Sequence, residues 1–285
     1  MAQSVEIFEV GPRDGLQNEK RLIPTAEKVA LVDLLSRAGF RRIEVASFVS
    51  PKWVPQMADS AAVLAAIRRA PGLRYAALTP NMKGYEGARA ARADEVAVFA
   101  SASEGFSKAN LNCTIAESIA RFVPILDAAR ADDTPVRGYI SCVTDCPFDG
   151  PTDPGAVARL AARLRDLGCY EISLGDTIGR AIPESITAML RAVLDVVPAV
   201  MLAGHYHDTA GRAADNIEAS LALGLRVFDA AVGGLGGCPY APGAQGNVAT
   251  ETALARIEAL GYRTGLDRAV IDEAAALARS MRSRA

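Results

Sequence analysis

Histidine is almost absent from this sequence: two residues in 285. Neither charge sign is in excess. Lysine plus arginine number 31 and aspartate plus glutamate 33, giving a formal net charge of −2 with both signs spread along the chain. With no basic stripe, nucleic acid is excluded as a partner; with no acidic tail, there is no solvating segment. Cysteine shows no paired spacing. Cys113, Cys142, Cys146, Cys169 and Cys238 form an odd set, and nothing around Cys142 and Cys146 makes a zinc site. These are read as reduced thiols of a cytoplasmic protein. The opening "MAQSVEIFEV" has no signal-peptide core. The most apolar long window, 186–204, is broken by Arg191, Asp195 and Pro198, so no membrane span is expected. No internal linker divides the chain.

What is present is alternation. Apolar, β-branched runs at 4–10, 41–46, 73–78, 95–100, 136–142, 170–174, 199–204 and 226–232 read as strands. Helical periods lie between them, as in Leu31, Leu34, Leu35 and Ala38, or Val157, Leu160, Ala161 and Leu164. One joint recurs. "AGFRRIEVASF", "LGCYEISLGDT" and "LGLRVFDAAVG" each end a helix with glycine and start a strand, and five residues after the glycine stands a polar side chain: Glu44, Ser173 and Asp229. Eight strand–helix units in this length predict a (β/α)8 TIM barrel as a single catalytic domain over 1–285, with a short C-terminal helical tail from about 266. A doubly wound open sheet is the alternative; it usually has fewer strands and a dinucleotide fingerprint.

The two histidines are two residues apart in "AGHYHDTAG". On a strand, His205 and His207 share a face, which places two nitrogens within reach of one ion; a pair of structural histidines is the plainer reading. "EVGPRDGLQNEK" follows the first strand and offers Arg13 and Asp14, either a solvated turn or an oxyanion clamp beside a metal ligand. Glu44 falls inside the second strand, where a carboxylate is costly unless paired with an arginine. Asp176 ends the sixth strand in "SLGDTIG". The run "GGLGGCPYAPGAQGN" follows the eighth and carries Cys238 and Asn247. All eight residues fall at or near C-terminal strand ends, the catalytic face of a barrel. One carboxylate, two imidazoles and, as a further candidate, the Asn247 amide oxygen suit a six-coordinate divalent cation, Mg2+ or Mn2+. The glycine run fails as a phosphate cradle because Gly234 and Gly236 are followed by Pro239. A mobile loop that delivers a thiol explains it better.

"GGLGGCPY", together with "GPRDGLQNEK", "IEVASFVSPKWVPQM", "SLGDTIG" and "GHYHDT", resembles the 3-hydroxy-3-methylglutaryl-CoA lyases, over nearly the whole chain and in the expected order. One departure is visible: the family motif usually begins Ser-Val-Ala-Gly, and here it reads Ala231-Val232-Gly233-Gly234. The resemblance implies cleavage of hydroxymethylglutaryl-CoA to acetyl-CoA and acetoacetate. It also implies a cation held by Asp14, His205, His207 and Asn247, with Arg13 on the thioester enolate oxygen and Cys238 as the acid/base of a moving loop. Glu44 and Asp176 would orient Arg13 or a metal-bound water. The group that first takes the hydroxyl proton stays open between Asp14, a metal-bound water and Cys238. Asn110, in "FSKANLNCT", is a candidate contact for the pantetheine arm of the CoA thioester, or a loop-stabilising asparagine. A homodimer is expected, as is a bacterial-type, cytoplasmic member. The rival readings are a lyase for a longer-branched hydroxyglutaryl-CoA, a synthase condensing an acyl-CoA with a 2-oxo acid, and a non-catalytic metal-binding paralogue.

Overall fold

The αβ joints seen in the sequence have a backbone reason. Gly39, Gly168 and Gly224 all take left-handed φ, at +93°, +111° and +99°. That conformation ends a helix and turns the chain straight into a strand, at little steric cost for a residue without Cβ. Arg92 and Asp133 make the same left-handed turn ahead of the fourth and fifth strands (φ 61° and 51°), so the joint recurs where no glycine advertises it.

In this computed structural model, which describes residues 3–238 and 241–282 and gives only backbone at 237–238 and 241–245, eight parallel strands close into a barrel. They are β1 (Glu6–Glu9), β2 (Arg42–Ser47), β3 (Arg74–Leu78), β4 (Glu95–Ser101), β5 (Val136–Ser141), β6 (Glu171–Asp176), β7 (Leu202–Tyr206) and β8 (Val227–Ala230). Each pairs with its sequence neighbours, and β8 pairs β1 to shut the ring. The closed order confirms the barrel and rules out the open sheet. Among the helices packed outside are α1 (Thr25–Leu35), α2 (Ser60–Ala66), α3 (Met82–Ala90), α4 (Glu104–Leu111), α5 (Ile115–Ala131), α6 (Pro154–Leu167), α7 (Pro183–Leu194), α8 (Ala213–Ala222) and α9 (Thr250–Ala259). The tail is α10 (Arg268–Met281). Its apolar stripe Ile271, Ala274, Ala275, Ala278 and Met281 is buried, and it packs on α1 and the turn after β8. Among the described residues no helix is long and apolar enough to cross a membrane.

Strand seven lies later than the sequence suggests. After Pro198 the apolar residues Ala199–Met201 form a 3₁₀ turn, and the strand proper runs through Gly204, His205 and Tyr206.

The period-two alternation of the strands sorts two environments. Ile43, Val45, Val96, Val98, Ile140, Ile172, Leu174, Leu202 and Phe228 point outward into the main apolar core beneath the helices. The opposite parity faces the barrel axis and sets Arg42, Glu44, Glu95, Arg137, Glu171, His205 and Asp229 beside Phe8, Leu78, Ala97 and Tyr139. Barrel interiors are usually filled by branched aliphatic layers. This one carries buried ion pairs among those rings and small apolar side chains.

Candidate active site

Glu9, the last residue of β1, sets the entrance to the site. Its buried carboxylate accepts the Gly11 and Val232 amides at 2.8 and 2.9 Å and the Thr250 hydroxyl at 2.6 Å. One side chain thus ties the loop after β1, the loop after β8 and the start of α9. Burial is the main influence on it and pushes its pKa up to about 7. The chain then makes a wide turn, Gly11–Gly15, in which the Val10 carbonyl accepts the amides of Arg13, Asp14 and Gly15. A Cβ on Gly15 would stand 2.6 Å from Leu235 Cβ, so the turn packs directly against the loop after β8.

This turn presents Arg13 and Asp14 to the barrel mouth. The Arg13 guanidinium holds Glu44 with Nε at 2.6 Å and Nη2 at 2.5 Å, and Asp14 with Nη1 at 2.6 Å. Burial works against the Arg13 charge, but Glu44 and Asp14 outweigh it and keep the group protonated. Burial also raises Asp14, yet Arg13 and the two imidazoles hold it below its ordinary value. Glu44 sits deeper, and burial leaves its pKa raised despite Arg13. Its second oxygen, Oε1, has no hydrogen-bond partner among the described residues.

His205 and His207 stand opposite, with ring centroids 5.4 Å apart. One ligand atom each from Asp14, His205 and His207 lie within 4.8 Å of one another. His205 Nδ1 is 3.0 Å from Asp229 Oδ2, and this carboxylate raises its pKa against the effect of burial. His207 has no such support. Burial, with His205 beside it, lowers its pKa to about 4, so the neutral ring offers a lone pair at neutral pH. Asn247 reaches the cluster because residues 246–249 run along the ends of β7 and β8: His207 bridges Asn247, Asp208 donates to Gly246 O at 2.7 Å, and Ala231 donates to Val248 O at 3.0 Å. Its Nδ2 donates to Asp14 Oδ2 at 2.8 Å. As placed, Asn247 therefore steadies Asp14 rather than turning its oxygen toward the cluster. A Cβ on Gly236, whose φ is +109°, would approach that Nδ2 to 2.9 Å. A carboxylate oxygen and two imidazole nitrogens converging in this way fit one divalent cation and leave further positions open.

Other residues singled out in the sequence land elsewhere. Asp176 does not reach Arg13. At the end of β6 it is buried under the turn that follows and accepts the Arg180 and Ala181 amides at 3.3 and 3.0 Å. Burial raises its pKa to about 6 against those bonds. Asn110 is exposed in the last turn of α4 and shares no hydrogen bond with the cluster among the described residues. The Cys238 side chain lies outside the described residues; its backbone pairs with Ala241 in the hairpin Gly237–Cys238 and Ala241–Gln245.

The sequence reading missed Glu9, Arg42, Arg137, Tyr139 and Glu171. Tyr139 stands between the Arg13 and Arg137 guanidiniums, 5.6 and 4.8 Å from its ring centre, edge-on to His205 at 6.2 Å. A usable signal existed: charged residues at inward parity in otherwise apolar strands, as in "RIEVAS" and "VRGYIS".

With this geometry in hand, the likeness to known proteins is specific. Residues 4–278 match the HMGL-like family. A Pseudomonas aeruginosa 3-hydroxy-3-isohexenylglutaryl-CoA/hydroxymethylglutaryl-CoA lyase is 57% identical over 94% of this chain and 89% of its own. The crystal structure of the HMG-CoA lyase from Brucella melitensis superposes with a TM-score of 0.98 at 61% identity, covering 99% of each chain. An Acinetobacter baumannii HMG-CoA lyase in complex with coenzyme A and 3-methylmalate superposes with a TM-score of 0.93 at 37% identity, over 98% of this chain and 91% of that one. The protein belongs to the HMGL-like family, among its hydroxymethylglutaryl-CoA lyases.

Proposed function

We propose that this enzyme cleaves 3-hydroxy-3-methylglutaryl-CoA to acetyl-CoA and acetoacetate with a Mg2+ or Mn2+ ion held by Asp14, His205 and His207. Asn247 would join them once its amide turns its oxygen inward, an exchange of nearly isosteric atoms. The observation that carries this reading is the convergence of those three donors within 4.8 Å, beside Arg13. The bound ion supplies positive charge to the tertiary alcohol oxygen and lowers the cost of its alkoxide.

The rest of the chemistry falls to side chains. A base at the mouth, for which Asp14, a metal-bound water and the Cys238 thiolate are the candidates, takes the hydroxyl proton as the carbinol carbon becomes the ketone of acetoacetate. The bond to the thioester's α-carbon breaks, and its electron pair becomes the enolate of acetyl-CoA. Arg13, fixed by Glu44 and Asp14, is the donor for that enolate oxygen; it cannot lose its proton and is already oriented. The Cys238 thiol then protonates the enolate carbon. Asn110 on α4 is a contact for the pantetheine arm in this reading. Four buried free thiols, Cys113, Cys142, Cys146 and Cys169, support a reducing compartment such as the cytoplasm.

A second substrate has its own support, since the Pseudomonas aeruginosa relative is named for an isohexenyl as well as a methyl branch. The test is coupled detection of acetyl-CoA and acetoacetate from hydroxymethylglutaryl-CoA, after chelation and with Mn2+ restored, on wild type and Cys238→Ala. Metal-dependent cleavage that collapses in the variant is expected. Turnover of the isohexenyl thioester alone would move the assignment to the longer branch, and turnover of neither would end it.

A further inference from the structure

The two histidines of the cluster are held in different ways. His207 Nδ1 is buried and has no hydrogen-bond partner among the described residues. His205 Nδ1 meets Asp229 Oδ2 at 3.0 Å. Asp229 is saturated: Oδ2 also accepts the Ser173 hydroxyl at 2.7 Å and Arg137 Nη1 at 3.0 Å, and Oδ1 accepts Arg137 Nη2 at 2.7 Å. Arg137 cannot swing away. Its Nε holds Glu171 at 2.6 Å, and its guanidinium lies between the Phe8 and Tyr139 rings, 4.5 and 4.8 Å from their centres. Glu171 is held in turn by Arg42 at 2.9 and 3.1 Å, and Arg42 by Glu6 at 2.7 Å. A column of alternating charges thus rises through the barrel and ends on one imidazole.

An ionised carboxylate only accepts hydrogen bonds, so His205 Nδ1 must carry a hydrogen. In the neutral ring the lone pair is then on Nε2, the nitrogen facing Asp14 Oδ2 at 3.9 Å. We propose that Asp229, fixed by Arg137 and Ser173, is the positioning residue that sets the ring orientation and tautomer of His205, so that this ligand is preset for a divalent cation while His207 is placed by packing alone. The proposal rests on the cation reading above. It predicts an unequal pair: one histidine preorganised from beneath, the other adjusting to its ligand.

Because the chain has only two histidines, 15N-histidine labelling gives spectra that a His207→Gln variant assigns. In the metal-free protein, at a pH where both rings are neutral, His205 should show a single Nδ1-protonated tautomer, whereas His207 should exchange between forms. Asp229→Asn brings a donor into a ring of donors, so either Arg137 or His205 loses its acceptor. The His205 tautomer signature should be lost, and Mn2+ binding followed by electron paramagnetic resonance should weaken about 10–100-fold. A purely structural role would lower the melting temperature and leave both readouts in place; that result overturns the proposal. Should Asp229→Asn not fold, Ser173→Ala removes one of the four bonds and keeps the charge. It should weaken Mn2+ about threefold and loosen the His205 signal, and no change in either would equally overturn the proposal. If wild type itself fails to bind Mn2+ at this cluster, the cation reading falls while the tautomer measurement still judges Asp229.

Discussion

The lower barrel and its mouth use the same residue types to opposite ends. Below, Arg42 and Arg137 are each engaged by carboxylates on more than one side, and the charges cancel at short range. At the mouth, Glu44 Oε1, Tyr139 Oη and His207 Nδ1 are buried without hydrogen-bond partners among the described residues; below, Glu95 Oε2 shares that condition but faces the charge of Arg74 at 3.7 Å. A buried polar atom left unpaired costs roughly 1–3 kcal/mol. Groups kept in that condition next to the Asp14–His205–His207 cluster fit atoms meant for ligands rather than for the fold. The lower layer gives up aliphatic packing for rigidity, and the mouth gives up satisfied hydrogen bonds for reactivity.

The comparison can be broken at either layer. Arg137→Met should be the most damaging to the fold, because it leaves Asp229 and Glu171 buried with fewer partners. A loss of about 3–5 kcal/mol in unfolding free energy is expected from urea titration. A variant as stable as wild type would show that the lower column is not structural. Arg13→Met should act on the chemistry instead. Loss of an oriented donor typically costs about 2.7–4 kcal/mol, or about 10²–10³-fold in kcat, and circular dichroism should show the fold retained. If kcat held and only KM rose, Arg13 would be a binding group and not an oxyanion donor.

Glu9 ties the loops after β1 and β8 to the start of α9 and gives the smallest effect. Its folded pKa, about 7, lies above the ordinary glutamate value of 4.5. The folded state therefore holds the proton more tightly. The stabilising contribution is complete below about pH 4.5 and is lost as pH rises through about 7. Glu9→Gln mimics the protonated form, so wild type should lose roughly 2–3 kcal/mol relative to the variant between pH 5 and 8. Parallel stability curves across that range would contradict the assignment.

Local patterns made much of this legible before the fold was seen. Most of the eight strands announce themselves by apolar, β-branched runs, although Arg74–Leu78 and Leu202–Tyr206 hold no β-branched residue, and the glycine joints mark three of their starts. Asp14, His205 and His207 could be placed at strand ends from sequence because each lies on or beside a strand whose parity is readable. What could not be read are partnerships made by closure. Asp229 stood out as a polar residue five positions after Gly224, but its partner Arg137 lies 92 residues away, and only the closed barrel joins them. Asp176 is readable as the end of its strand, but its capture by the Arg180 and Ala181 amides, in place of Arg13, depends on the turn that follows. The start of strand seven was misjudged because Ala199–Met201 is as apolar as a strand while forming a 3₁₀ turn.

The central claim is that cleavage depends on one cation at the mouth. The direct measurement is a Mn2+ titration of chelated enzyme, reading bound Mn2+ and hydroxymethylglutaryl-CoA cleavage on the same samples. Rate should rise with occupancy, both should saturate at one ion per chain, and Asp14→Asn should remove both together. Full cleavage by chelated enzyme, or binding that survives in Asp14→Asn, would contradict it.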